Sequence, residues 1–132
     1  MSITVGTHKG NVTRKSDAAI TARFLLGKAG SDEDHVAVAG VGDKPLGVIT
    51  DEASAAEENV NLALLGGSDE TRNGVASGAI AAGDNIYPAA AGKVSTLASG
   101  GTHYLAGRAL TAAADGELVE FIPVIGQVIA GL

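Results

Sequence analysis

The chain has 132 residues and a mass of 13.0 kDa, which suits one domain and is too little for two of ordinary size. It contains no cysteine, which excludes disulfides, thiolate metal sites and cysteine nucleophiles. No apolar run approaches the ~20 residues that span a bilayer, and the start lacks a basic region followed by an apolar one. We therefore expect that the protein does not associate with a membrane and that it is made in a cytoplasm.

The composition predicts a fold that is mainly β. Apolar residues make up 45% of the chain, aromatic residues only 3%, and there are 19 glycines. Each glycine inside a helix costs about 1 kcal/mol relative to alanine, whereas tight turns between strands accommodate glycine well. We expect a small glycine-rich β-barrel or sandwich with at most short helical turns.

Charge is distributed unevenly along the chain. Residues 1–30 hold five cationic side chains against one anionic side chain, and the remainder holds four against fourteen, for a net charge of −6. Residues 1–15 contain too little apolar surface to fold alone. We therefore predict that residues 1–15 form an extended N-terminal arm and that residues 16–132 form a single β-rich domain. The negative total and the few aromatic residues argue against direct nucleic-acid binding.

The first half of the body contains four predicted strands. Residues 18–28 fit either a helix capped by Ser16 and Asp17 or a strand, and the glycine at position 27 favours the strand. The segments 35–39, 46–50 and 60–65 alternate in the manner of half-buried strands. Between the last two, an Ala- and Glu-rich segment allows one or two helical turns.

The second half predicts four more strands, at 85–87, 93–96, 104–110 and 117–122, with a turn at 114–116 before the last. Residues 46–64 and 106–121 share a weak pattern of glycine-led strand, small-residue turn and alternating strand. This echo is too weak for a solenoid repeat. The apolar segment 124–132 fits a last strand, a contact between subunits or a second arm.

The sequence contains no convincing catalytic or metal-binding motif. Asp32, Glu33, Asp34 and His35 form the densest cluster, but they lack the oxygen spacing of a calcium loop and fit a solvated loop better. The three histidines, His8, His35 and His103, lie far apart in sequence, which favours surface or capping roles. The paired carboxylates at 51–52, 57–58 and 69–70 fit solvated turns. We expect neither enzymatic activity nor a cofactor or metal.

Four segments together resemble the capsid decoration (cement) proteins of tailed bacteriophages. They are Lys44–Asp51, Val60–Leu64, Ala79–Tyr87 with Ala90–Val94, and Ala106–Leu110 with Asp115–Gly116. The resemblance covers roughly residues 16–124 in order and spacing. It implies a β-rich, barrel-like body, trimers on the outside of the mature head, an arm that helps hold capsid subunits together, and no catalysis.

The leading hypothesis is therefore a homotrimeric virion protein on the outer capsid surface that binds the major capsid protein and stabilises the shell. The residues expected to make this contact lie in the arm: Ile3, Thr4, Val5, Lys9, Arg14 and Lys15. Main-chain pairing of an extended arm with another sheet would supply the affinity. Alternatives are a low-copy phage tail or baseplate module, a small-ligand or sugar-binding β-barrel, and an unrecognised hydrolase.

Overall fold

The computed structural model describes residues 10–66, 70–96 and 101–130, and side chains as far as residue 124. These residues form ten strands and one 3₁₀ turn at Ala90–Gly92. The strands are β1 (Asn11–Ser16), β2 (Leu25–Ala29), β3 (His35–Val38), β4 (Gly47–Ile49), β5 (Asn59–Leu64), β6 (Arg72–Val75), β7 (Asn85–Pro88), β8 (Val94–Ser95), β9 (Thr102–Ala109) and β10 (Leu118–Ala130).

Strands β1 to β5 form a closed barrel, which we call the first barrel. Its strand order is β1-β3-β2-β4-β5, and β1 closes the ring by pairing antiparallel to β5. Alternate residues of each strand point inward, as in the buried pair Val12 and Leu62. Val, Ile and Leu side chains fill this small interior, which explains why the protein needs few aromatic residues.

Strands β6 to β10 form a five-stranded sheet of order β6-β10-β9-β7-β8, which we call the second sheet. A single parallel bridge between Ala76 and Val94 joins its two ends, so the sheet curls round on itself. Phe121 is the largest fully buried side chain and lies at the centre of this unit. The prediction of a mainly β fold with a small barrel is confirmed.

The two units repeat one plan of strand pairing. In the first barrel, Ile20 and Ala53 exchange backbone hydrogen bonds of 2.8 and 3.0 Å, and in the second sheet Ile80 and Ala113 exchange bonds of 2.8 and 2.9 Å. The parallel pairing of Ser16 with Val36 in the barrel likewise corresponds to the bridge that closes the sheet. The weak echo in the sequence thus marks a repeat of a whole five-stranded unit.

Two glycines occupy matching positions in this repeat. A Cβ at Gly47 of β4 would collide with the carbonyl oxygen of Ala63, and one at Gly107 of β9 would collide with that of Ile122. Both glycines therefore let the fourth strand of a unit approach the fifth closely.

A shared hydrophobic cluster joins the two units. Leu26 of β2 and Val48 of β4 point out of the first barrel, yet they are 0% and 1% exposed because the second sheet covers them. The covering elements are β6 and the 3₁₀ turn, where a Cβ on Gly92 would lie 2.9 Å from Leu25 Cβ. The units consequently share part of their core.

Most predicted strands are present, β1 and β6 are strands that were not predicted, and three further segments differ from the prediction. Strand β2 begins only at Leu25, because Phe24 takes a left-handed conformation with a φ of 67°. Residues 51–58 form turns and the bridge at Ala53 without a helix, since their side chains cap the neighbouring backbone. Strand β10 continues to Ala130, so residues 124–130 extend the last strand.

Candidate interaction surfaces

The residues predicted to bind a partner divide into two groups. Ile3, Thr4, Val5 and Lys9 lie outside the described residues. Arg14 and Lys15 lie on β1, so the end of the segment predicted as an arm is part of the first barrel. The physical reason is long-range: Asn11 to Lys15 pair residue by residue with β5, a partner that the local sequence does not reveal.

The start of β1 is held firmly by a buried arginine. Gly10 accepts hydrogen bonds from the backbone N–H of Leu64 at 2.7 Å and from Nη2 of Arg72 at 3.2 Å. Arg72 is 7% exposed, and its Nε also donates to the carbonyl of Leu64 at 3.3 Å. Gly10, the first described residue, is thereby fastened to both units.

A histidine cluster braces the loop between β2 and β3. Nδ1 of His35 lies 2.6 Å from Asp32 Oδ1, and Nε2 lies 2.7 Å from Glu57 Oε1. Glu57 holds its carboxylate there from a left-handed backbone with a φ of 70°. The matching position in the second sheet is Gly116, which has a φ of 85°. The two positions match because Glu57 donates its N–H to the carbonyl of Ser16, and Gly116 donates its N–H to the equivalent carbonyl, that of Ala76.

This arrangement favours the protonated imidazole. The hydrogen bond to Asp32, followed by that to Glu57, raises the pKa of His35 to about 9. The same contact with His35 lowers the pKa of Asp32. At neutral pH the cluster is a cation between two anions, and it fastens the acidic loop at residues 31–34 to the turn before β5.

The other carboxylates of this region brace turns. Asp51 accepts a hydrogen bond from the N–H of Asn61 at 2.9 Å, and Glu58 accepts bonds from the backbone and hydroxyl of Ser54. The hydrogen bonds from Ser54 lower the pKa of Glu58. Within the described ranges, no group of three or more histidine and acidic side chains is placed to hold a metal ion.

The remaining histidine of the described chain is buried. His103 is 3% exposed and packs edge-on against Tyr87, with the ring centroids 6.4 Å apart. The expectation of a surface position for His103 is therefore wrong, because strand β9 directs it into the protein. In the described part of the chain, no helix has the length and apolar character to cross a membrane.

Three of the five large apolar side chains that are exposed in the described residues lie on the outer face of the second sheet. Leu118 and Ile122 of β10 are 51% and 47% exposed, and Leu110, which directly follows β9, is 44% exposed. A groove of about 330 Å³ lies on the same face and is lined by Asn85, Leu105, Arg108, Ile122 and Val124. This surface was not predicted from the sequence, although Leu118 and Ile122 occupy positions that share one face of a strand.

Comparison with known proteins identifies the family. The profile of the phage cement proteins matches residues 6–124, most of the chain. The chain therefore belongs to the phage cement protein family, a class of structural, capsid-associated proteins in phage particles. This membership confirms the resemblance seen in the sequence.

A solved structure has the same fold. It is the N base of the head fiber protein gp8.5 of bacteriophage phi29, with a TM-score of 0.66 over 89% of this chain and 95% of that chain. The two sequences are 21% identical, so this similarity concerns the fold. No curated protein sequence matches the chain.

Proposed function

We propose that this protein binds the outside of a mature phage capsid as a trimer and stabilises the shell. The observation that carries the proposal is membership of the phage cement protein family over residues 6–124. The partner is the major capsid protein, and the protein is made in the host cytoplasm before it joins the virion. The contact includes Ile3, Thr4, Val5 and Lys9 of the N-terminal arm, together with Arg14 and Lys15 at the start of the body on β1.

The described body supports this role because it is braced throughout. Its two units share a hydrophobic cluster, and Arg72 fastens the start of β1 to both of them. A force applied to residues 1–9 would therefore pass into the whole body. A rigid body with several bound arms in one trimer gains avidity, because each further arm binds intramolecularly.

The direct test is co-sedimentation with purified capsids that lack this protein. A chain without residues 2–9 should lose most of its binding, and Arg14→Glu/Lys15→Glu should weaken binding and make it less sensitive to salt. Arg23→Glu is the matched control, because Arg23 is exposed on the body outside the predicted arm. Unchanged binding of the shortened chain would contradict the role of the arm.

Copy number separates this function from a tail or baseplate role. Quantitative mass spectrometry of particles should find this chain in amounts comparable with the major capsid protein. A handful of copies per particle would contradict a shell-covering protein. A saturable heat of binding in a glycan titration would instead favour a sugar-binding barrel.

A further inference from the structure

The repeat supplies an internal comparison between two equivalent surfaces. Leu26, Val48 and Ala63 lie side by side on the outside of the first barrel, across β2, β4 and β5. The matching row on the second sheet runs across β7, β9 and β10 and consists of Asn85, Arg108 and Ile122.

These two rows differ completely in burial. The first row is 0%, 1% and 4% exposed, because the second sheet covers it. The second row is open to solvent, and Ile122 is 47% exposed. Beside its row the first barrel has two polar side chains, the half-buried Thr50 and the exposed Asn59, whereas the second sheet has Leu110 and Leu118 at the matching places. In the second sheet, apolar side chains therefore lie next to a row that nothing in the described chain covers.

The elements that cover the first row also have matching copies. The cover consists of β6 and the 3₁₀ turn between β7 and β8. Their equivalents in the first barrel are β1 and the loop between β2 and β3, which expose Lys15 and Glu33. One chain thus has an uncovered row on the second sheet. Its first barrel also has, in β1 and the β2–β3 loop, the equivalents of the elements that cover the other row.

We propose that the outer face of β7, β9 and β10 binds the first barrel of a second copy of this chain, at β1 and the acidic β2–β3 loop. This contact repeats between chains the packing that joins the two units within one chain. Since it links different surfaces of two copies, it is head-to-tail, and a rotation closes it into a ring. The inference rests on the proposed function for its ring of three.

Charge complementarity supports a second copy as the occupant. Arg108 lies in the open row, while the β2–β3 loop of the facing first barrel exposes Glu33. Within its own chain Arg108 donates to the neutral side chain of Asn85 at 3.4 Å. In the proposed contact Arg108 meets the opposite charge of Glu33 on the next copy. The groove of about 330 Å³ beside Arg108 offers room for side chains of that copy.

Sedimentation equilibrium of the full chain tests the proposal. The parent protein should associate, and Leu118→Asn/Ile122→Asn should weaken association at least about tenfold, because apolar anchors at the centre of an interface carry much of its energy. Val41→Asn is the control, since Val41 is 62% exposed on the loop between β3 and β4, which belongs to neither of the two proposed surfaces. Circular dichroism verifies that each variant is folded.

A charge exchange tests the identity of the facing surface. Arg108→Glu should weaken association, and adding Glu33→Arg in the same chain should restore it. A double variant that associates no better than Arg108→Glu would overturn the assignment of the β2–β3 loop. A monomeric parent protein, or undiminished association of Leu118→Asn/Ile122→Asn, would overturn the proposal itself.

Capsid binding is measured separately on the same proteins. A parent protein that associates through this face but does not bind capsids would contradict the proposed function and leave this interface standing. Loss of capsid binding by Leu118→Asn/Ile122→Asn with unchanged association would assign the face to the capsid, and would overturn the inference.

Discussion

At the scale of single residues, the position of Glu57 is unusual. A non-glycine residue in the left-handed region costs about 1 kcal/mol, and the equivalent position of the second sheet is a glycine. Glu57 compensates by placing its carboxylate on His35, 2.7 Å away. The strained backbone and the charged cluster therefore belong together.

This cluster predicts a pH dependence of stability. Because the pKa of His35 is raised above its unfolded value of 6.5 to about 9, the cluster contributes fully below pH 6.5. The contribution is lost as the pH rises towards 9. Urea unfolding of the parent and of His35→Gln should show the two stabilities converging over that window. A constant difference from pH 6 to pH 9.5 would contradict the ion-pair role.

Gly116 should be intolerant of a side chain for a conformational reason alone. Its φ is 85°, and a Cβ there would meet nothing within 4 Å. We expect Gly116→Ala to lower the free energy of unfolding by about 1 kcal/mol, from backbone strain. Gly40→Ala is the control, because Gly40 lies outside the left-handed region and its Cβ would be 3.5 Å from Asp43. Equal effects in urea unfolding would contradict the explanation.

At the scale of elements, the close approach of the fourth and fifth strands is a property of both units. Gly107→Ala should push β9 away from β10, because the new Cβ would collide with the backbone of Ile122 and lie 2.7 Å from Phe121 Cδ2. We expect a loss of about 3 kcal/mol in the free energy of unfolding. Gly47→Ala should show a similar loss. Thermal unfolding measures both, and a loss confined to one of the two would contradict the structural repeat.

At the scale of the whole molecule, the shared core predicts one cooperative unfolding transition. Leu26 belongs to the first barrel but packs in the cluster of the second sheet, and Leu26→Ala should cost about 3 kcal/mol. Tyr87 and Tyr104 both lie in the second sheet, so their fluorescence reports that unit, whereas circular dichroism reports both. The two signals should shift together in Leu26→Ala. A tyrosine signal that keeps the parent midpoint would show independent units.

The class of fold could be predicted from the sequence, because glycine-rich turns and alternating apolar residues are local signals. It located most strands, among them β3 and β5, and it carried the resemblance to phage cement proteins. It also led to the expectation of solvated turns at the paired carboxylates. In the structure, one residue from each of two pairs, Asp51 and Glu58, accepts hydrogen bonds that brace a turn.

How these strands combine could not be predicted from the sequence and became known from the folded structure. The pairing of β1 with β5, the burial of Leu26 and Val48, and the contact of His35 with Glu57 all join residues far apart in sequence. Local patterns do not specify such partners, because the register of a strand depends on the strand that it meets. The same reason hid the repeat: the two units share hydrogen-bond positions and backbone conformations, while their side chains have diverged.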